Sequence, residues 1–215
     1  MFSAFIAFMM YNAVMPYSRR ELNKIESRKR ILKASRKLFS AQGYEDTMME
    51  EIARRAKVSK ATVYNYFPNK ESLLIGIVDE VADRVEELLE TNLDDCHDSL
   101  CKLRRVMEEI VEASLQYPGL SRRIAWLHSD QESTLFGSWE QMTALLKRLI
   151  LAAQGEKLLK PDADAGEILD VVMGVYLIAL FQWTPLDISK PDLLQSKLTA
   201  TFDCLMRPYL CPPAI

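Results

Sequence analysis

Residues 43–74 read GYEDTMMEEIARRAKVSKATVYNYFPNKESLL, and this stretch decides the fold. Its pattern predicts two short helices, at about 48–56 and 60–66, separated by the tight turn Lys57-Val58. Two short helices across a tight turn, preceded by a longer helix that gives them a packing surface, are the plan of a helix-turn-helix. In that plan the second helix lies in the major groove of DNA.

Hydroxyl and amide side chains mark the ends of these helices. Thr47 and Glu50 form a T-x-x-E pair, which predicts a capping box at the start of the first short helix. Ser59 is placed to cap the second short helix, Pro68 ends it, and Asn69 caps the helix that follows. The sequence therefore predicts a unit with defined boundaries on both sides of the turn.

The second short helix combines polar positions with two apolar ones. Val63 and Phe67 lie four residues apart and are expected to face the core. The exposed positions offer a cation, two hydroxyl groups and a carboxamide, which suit phosphates and base edges, and no acidic group. These positions are Lys60, Thr62, Tyr64 and Asn65.

The charge distribution supports a DNA-binding segment although the whole chain is acidic. The chain carries a formal net charge of −3. Residues 1–70 contain 14 Lys and Arg and 6 Asp and Glu, a balance of +8, whereas residues 71–215 have a balance of −11. A basic segment attached to an acidic body is typical of a DNA-binding head on a body that does not bind DNA.

The spaced residues of this stretch resemble the pattern of the TetR/AcrR family of transcriptional regulators. Two glycines of that pattern are missing, since Lys57 stands in the turn and Ala61 in the recognition helix, and Met48 replaces a common hydroxyl residue. We expect Lys57 to adopt a left-handed conformation at a tolerable cost of about 1 kcal/mol. The residues that match in register are Thr47, Ile52, Ala53, Ala56, Val58, Ser59, Tyr64, Phe67, Lys70 and Leu73.

The resemblance implies roles for individual residues in binding double-stranded operator DNA. Thr62 and Tyr64 would contact DNA from the recognition helix, with Lys60 and Asn65 beside them. Lys70 would hold a phosphate. The alternatives are that Tyr64 is a packed aromatic residue and Lys70 a solvated surface lysine. The DNA-binding set implied in this way is Thr47, Ser59, Lys60, Thr62, Tyr64, Asn65 and Lys70.

Apolar residues recur at helical spacing along the rest of the chain and predict an all-α fold. The resemblance implies a nine-helix, two-domain fold with a three-helix head and a helical body. The expected division is an N-terminal extension at 1–20, a helix-turn-helix domain at 21–70 and a ligand-binding and dimerisation domain at 71–215. The other helices are expected at about 22–42, 70–91, 98–116, 119–128, 131–153, 161–182 and 191–207.

A homodimer on a palindromic operator follows from the short reach of one helix-turn-helix, which reads only a few base pairs. The helix at 161–182 is apolar nearly all round and, with the last helix, is the expected dimer interface. The alternative is that these residues pack only inside the monomer. The residues expected in the interface are Val171, Val175, Ile178, Phe202 and Leu205.

Large apolar residues in the body suit a small, largely hydrophobic effector of the kind that family members bind between their fourth and eighth helices. The alternative for each residue is ordinary core packing, and His128 is either a donor to the ligand or a surface residue. The residues expected at an effector site are Met107, Tyr117, Trp126, Phe136, Trp139, Met142, Met173 and Tyr176.

The apolar segment 1–15 is too short for a membrane span and lacks the leading positive charge of a secretory signal. A start codon assigned too early is the favoured interpretation, with Met10 or Met15 as the true beginning. A packed or disordered extension and a membrane anchor are the alternatives. Arg19 and Arg20, just after it, would be a solvated linker or an arm in the minor groove.

Few residues favour catalysis or a cofactor. The chain has no nucleophile elbow, zinc-protease motif, phosphate-binding loop or nucleotide-binding glycine pattern, so neither an enzyme nor a cofactor is expected. A protein-interaction module that kept the fold and lost DNA binding is a second alternative. The spacing of the four cysteines predicts no disulfide framework, and a reduced cytoplasmic location is expected. Cys96, His97 and Cys101 cluster, with an ordinary structural role favoured over metal or redox sensing.

Overall fold

A computed structural model describes residues 18–91, 96–128, 133–183 and 191–212. These residues form nine α-helices and one short 3-10 helix, Arg207–Tyr209, and contain no strand beyond a single bridge between Leu159 and Leu210. The predicted all-α fold is confirmed. The helices are α1 Arg19–Gln42, α2 Met49–Ala56, α3 Lys60–Tyr66, α4 Lys70–Thr91, α5 Ser99–Leu115, α6 Pro118–His128, α7 Phe136–Gly155, α8 Ala165–Gln182 and α9 Pro191–Met206.

The first core lies where α1, α2, α3 and the start of α4 meet. Each helix contributes apolar residues from one face, and the inward positions predicted for Val63 and Phe67 are confirmed. Ile25 of α1 is 41% exposed because the first turns of α1 extend past this core. The fully buried members include Ile31, Leu32, Ile52, Val63, Leu73 and Leu74.

This core continues into the body of the protein. Leu120 and Ile124 of α6, together with Leu135, belong to the same buried cluster as the residues of α1 to α4. Tyr117, at the start of α6, packs against it. The head and α6 therefore share one packed interior, across the boundary expected at residue 70.

Gly76 of α4 allows Phe67 of the head to rest against the helix backbone. A Cβ at this position would lie 2.8 Å from Phe67 Cε1 and 3.1 Å from Leu32 Cδ2. We expect Gly76→Val to lower the free energy of unfolding by about 1–3 kcal/mol, because the added methyl groups overpack the core. Urea unfolding followed by circular dichroism measures this change. Gly137→Val on α7 is the control, since nothing lies within 4 Å of a Cβ there. Equal losses in the two variants would contradict the packing explanation.

The second core is formed by α5, α7, α8 and α9 with Val85 of α4. Its fully buried residues include Leu103, Met107, Leu146, Ile150, Val172 and Phe202. Among the described helices α8 alone is long and apolar enough to cross a membrane by length and composition. In this fold α8 packs against α5, α6, α7 and α9.

Three local predictions are corrected by the structure. Helix α8 begins at Ala165, not near Pro161, because the Asp164 carboxylate accepts the N–H groups of Gly166 and Glu167 at 2.6 and 3.1 Å. Helix α7 begins at Phe136, later than the predicted 131.

The third correction concerns the cysteines. Cys96 and Cys101 form a disulfide, contrary to the prediction from their spacing. Cys96 precedes the cap of α5 at Asp98, so the chain turns between the two cysteines and brings them together although they are five residues apart. Cys204 and Cys211 are free, and no metal-binding group of three or more His, Cys, Asp or Glu occurs within the described residues.

Candidate nucleic-acid interface and effector cavity

The N-terminus of α2 differs from the predicted capping box by one residue. Thr47 is only 1% exposed, and its hydroxyl donates to the Gly43 carbonyl at 2.6 Å. Met48 is the N-cap, and its N–H donates to the Glu51 carboxylate at 3.4 Å. The predicted cap by Thr47 and Glu50 is therefore wrong, because Thr47 turns inward to close the preceding loop. A hydroxyl buried in this way has no surface to offer a phosphate.

The turn between α2 and α3 has the predicted backbone. Lys57 lies in the left-handed region with φ 55° and ψ 47°, which confirms the conformation expected where the family pattern has glycine. Ser59 caps α3, since its hydroxyl accepts the Thr62 N–H at 3.0 Å. The Ser59 and Thr62 hydroxyl oxygens are 2.7 Å apart. The entry to α3 is thus held by its own side chains.

The outer face of α3 is polar and open to solvent. Lys60, Tyr64 and Asn65 are exposed, with Tyr64 at 40%, while Thr62 is half-buried. The Lys60 ammonium lies 5.7 Å from the centre of the Tyr64 ring, close enough for a cation–π interaction. The structure therefore places these predicted residues together on one helix at the edge of the head.

Glu50 of α2 forms an ion pair with Lys60. The hydrogen bond from Lys60 lowers the pKa of Glu50, and the same bond raises the pKa of Lys60. Both side chains are exposed, so the pair is open to competition from a phosphate. Glu50 thus pairs with Lys60, a cation on the same face of α3 as Tyr64.

Lys70 is held by the head itself. Its ammonium donates to the carbonyl oxygens of Tyr44 and Glu45 at 2.8 and 2.9 Å and lies 4.7 Å from the Tyr44 ring centre. Arg123 of α6 also lies over the Tyr44 ring, at 4.6 Å, and pairs with Glu45 at 2.5 Å. Lys70 and Arg123 therefore fix the loop between α1 and α2, and contact between Lys70 and a phosphate stays a prediction.

Three exposed cations next to the recognition helix were not in the predicted set. Lys57 lies at the turn, and Arg54 and Arg55 end α2. Their position at the end of α2, directly before the recognition helix, was the sequence feature that could have placed them in the predicted set. Of the three, Arg54 lies 3.7 Å from the Glu51 carboxylate.

Glu50→Gln is expected to tighten operator binding several-fold, because it removes a negative charge near the DNA and frees Lys60 for a phosphate. Fluorescence anisotropy with labelled operator DNA at two salt concentrations measures this change. Glu86→Gln, an exposed carboxylate on α4, is the control for a simple change of net charge. Weaker binding by Glu50→Gln would show that the ion pair orients Lys60 for DNA.

A mainly apolar cavity lies inside the body between α4, α5, α6, α7 and α8, with one contribution from α1. The space between its lining atoms, the open mouth included, is about 940 Å³. Trp126 and Phe136 were expected at this site but lie outside the lining, and Trp126 is 78% exposed. The predicted residues that line the cavity are Met107, Tyr117, Trp139, Met142, Met173 and Tyr176.

Polar groups are few in the cavity and come from several helices. The Tyr176 hydroxyl lies 3.4 Å from Ser114 Oγ, and burial raises the pKa of Tyr176. Arg36 of α1 and Arg84 of α4 also line the cavity, and sequence reasoning missed both. The His128 side chain lies outside the described part of the structure, so its predicted role stays a prediction.

The outer face of α8 and α9 differs from the predicted interface. Val175 is fully buried and Phe202 is 1% exposed within the monomer, so their prediction as interface residues is wrong. Both belong to the body core, because the inward side of α8 packs on α5 and α9. Val171, Ile178 and Leu205 are half-buried. The large apolar residues open to solvent on these helices are Leu177 at 43%, Phe181 at 56% and Leu193 at 47%.

Residues 31–77, which span the second half of α1 through the first turns of α4, match the family model described as bacterial regulatory proteins, tetR family. The chain carries a TetR-family DNA-binding head. The match contains the turn at Lys57 and the exposed face of α3. The family model and the observed geometry therefore agree on the TetR-type head.

Similarity to known proteins extends beyond the TetR-type head. The chain is 26% identical over 181 residues to the HTH-type transcriptional repressor KstR of Rhodococcus jostii (strain RHA1), covering 84% of this chain and 83% of that protein. The fold resembles the ketosteroid transcriptional regulator KstR2 of Mycobacterium tuberculosis, with a TM-score of 0.58, 16% identity and coverage of 88% and 96%. It also resembles the fatty acid degradation regulator FadR of Bacillus halodurans, with a TM-score of 0.62, 18% identity and coverage of 79% and 96%.

Proposed function

We propose that this protein is a transcriptional repressor that binds a palindromic operator as a homodimer and is released by a small, largely hydrophobic effector. The observation that carries the proposal is the head, in which a capped recognition helix presents Lys60, Tyr64 and Asn65 on one open face. Similarity to a transcriptional repressor over most of the chain supports the same function.

The proposed DNA contacts follow from the geometry of that face. Tyr64 and Asn65 are the proposed base-reading residues, with Thr62 beside them. Ser59, Lys60 and Lys70 are proposed to contact phosphates and so to set the position of the helix on the duplex. Lys70 keeps one N–H for a phosphate after its two bonds to carbonyl oxygens, since an ammonium group has three donors.

The proposed dimer rests on the exposed apolar residues of α8 and α9. A lone Leu on a surface is ordinary, but Leu177 and Phe181 lie four residues apart on one side of α8, with the half-buried Ile178 beside them. A second copy that covers this face would bring two heads into position for two half-sites of DNA.

The proposed release depends on elements that touch both the cavity and the head. Helix α4 is one such element, since its Ile77 lies both in the head core and in the cavity lining. Helix α6 makes the same double contact through Leu120 and Ile124, and its Arg123 pairs with Glu45 of the loop before α2. An effector that shifts α6 would therefore shift the head, and a few kcal/mol of coupling suffices to change occupancy.

The experiment that tests the function is a gel-shift assay with DNA from upstream of the protein's own gene, at several salt concentrations. A specific binder should weaken steeply as salt rises, since each neutralised phosphate adds about 0.9 to the slope. Equal affinity for upstream and unrelated DNA would contradict the proposal. A screen for compounds that release the bound DNA then tests the effector role.

A further inference from the structure

The cavity lining is mainly apolar, and its charged groups are two arginines from different helices. Arg36 belongs to α1 of the head and Arg84 to α4 of the body. Among the described residues that line the cavity no side chain is acidic, so the two guanidinium groups are its only charges. Burial and the neighbouring charge of Arg84 both lower the pKa of Arg36.

Each arginine has one carboxylate partner, and both partners lie outside the lining. Arg36 pairs with Glu80, and Arg84 Nε lies 3.2 Å from Glu109. The Arg36 and Glu80 side chains are 23% and 20% exposed, so this pair is largely removed from water. A guanidinium group has five N–H donors, and a single carboxylate uses at most two of them in a bidentate pair. Donors therefore remain on both arginines for a further acceptor.

We infer that the cavity takes an amphipathic anion, with its apolar body against residues such as Met107, Trp139 and Met173 and its carboxylate or phosphate between Arg36 and Arg84. This inference rests on the proposed effector site and gives that effector its chemical class. A neutral molecule would fill the apolar part but leave the remaining guanidinium donors unmatched. An anion matches them and relieves the repulsion between the two like charges.

The position of Arg36 also gives the anion a direct link to the head. The Arg36–Glu80 pair joins α1 to α4, and an anion bound to the remaining donors of Arg36 would repel the Glu80 carboxylate and weaken this pair. Binding would thus loosen a tie between head and body without a contact to any residue of the recognition helix. Binding of the effector would then oppose binding of the operator through the Arg36–Glu80 ion pair.

The test is calorimetric titration of the full chain with decanoate, decyl phosphate and decan-1-ol, which share a ten-carbon body and differ in the end group. We expect the better anion to bind at least tenfold more tightly than the alcohol, since hydrogen bonds to charged groups are the strong ones. Tighter binding of decanoate identifies a carboxylate, and tighter binding of decyl phosphate identifies a phosphate. Equal affinity for all three compounds, or no binding of any, would overturn the inference.

Variants identify the responsible residues. Arg84→Gln should reduce the preference for the anion about tenfold, and Arg36→Gln should do the same if the chain remains folded by circular dichroism. Arg104→Gln is the matched control, because Arg104 pairs with Asp203 away from the cavity lining. A preference that survives in both Arg84→Gln and Arg36→Gln would also overturn the inference.

The DNA assay on the same protein separates this inference from the proposed function. Tight, arginine-dependent binding of the anion with no release of operator DNA would uphold the cavity chemistry and refute the effector role. If the alcohol releases DNA as readily as the anions do, the effector role is upheld and the inferred preference for an anion is refuted.

Discussion

Replacing Tyr64 and Asn65 together by alanine is expected to abolish specific binding to the operator while the protein stays folded. Both side chains are exposed on α3 and neither belongs to the head core, so their loss leaves the packing intact. Each base contact contributes about 1–3 kcal/mol of discrimination. A dimer loses the contacts of two heads, and even the lower end of that range gives a total of about 4 kcal/mol, or roughly a thousandfold in affinity.

Fluorescence anisotropy with operator DNA and with unrelated DNA of equal length measures this effect. Weak, salt-sensitive binding to both DNAs should remain, because Lys57, Arg54 and Arg55 are still present. Gln141→Ala, which removes an exposed amide from α7, is the control and should bind the operator like the unaltered protein. A double variant that still prefers the operator would show that α3 does not read the bases.

The double substitution Leu177→Glu with Phe181→Glu is expected to convert the proposed dimer into a monomer. Both side chains are exposed in the isolated chain, so the monomer fold should tolerate the change. In a dimer the two carboxylates would be buried against their symmetry mates without partners, which costs several kcal/mol for each ion. Light scattering after size-exclusion chromatography measures the mass directly.

Operator binding should weaken when dimerisation is lost, since a single head covers only one half-site. Leu151→Glu on α7 is the matched control, because Leu151 is 53% exposed and lies outside the proposed interface. If the double variant keeps the mass of a dimer, the outer face of α8 is not the interface. If the unaltered protein is itself a monomer, the proposed assembly is wrong.

The helical order of the chain was readable from the sequence because its helices are amphipathic or bounded by clear stop signals. The Ser59 cap and the cap at Asn69 followed from single side chains that bond to backbone N–H groups within three residues. The cap of α2 was misplaced by one residue, since Thr47-x-x-Glu50 and Met48-x-x-Glu51 both end in a glutamate. Only the tertiary position of Thr47, buried under the loop, distinguishes the two.

The residues of the two sites were harder to predict from the sequence where contacts between distant parts of the chain determine their positions. Helix α8 is apolar nearly all round, so periodicity could not separate Val175, in the core, from Leu177 and Phe181 on the surface. Arg36 and Arg84 are far apart in the chain, and their meeting at the cavity depends on how α1 crosses α4. Six of the eight residues predicted at the cavity do line it, because large apolar side chains on α5, α7 and α8 face the interior that these helices enclose.

The continuation of the head core into Leu120, Ile124 and Leu135 has a consequence for protein engineering. A fragment cut after residue 70 would carry an apolar surface stripped of these three partners, so it should aggregate rather than fold as a free DNA-binding module. Chimeras that exchange heads between regulators would meet the same problem at the junction. A transplant that moves α6 and Leu135 along with α1 to α4 keeps both sides of the shared interior from one parent, and the packing favours this division.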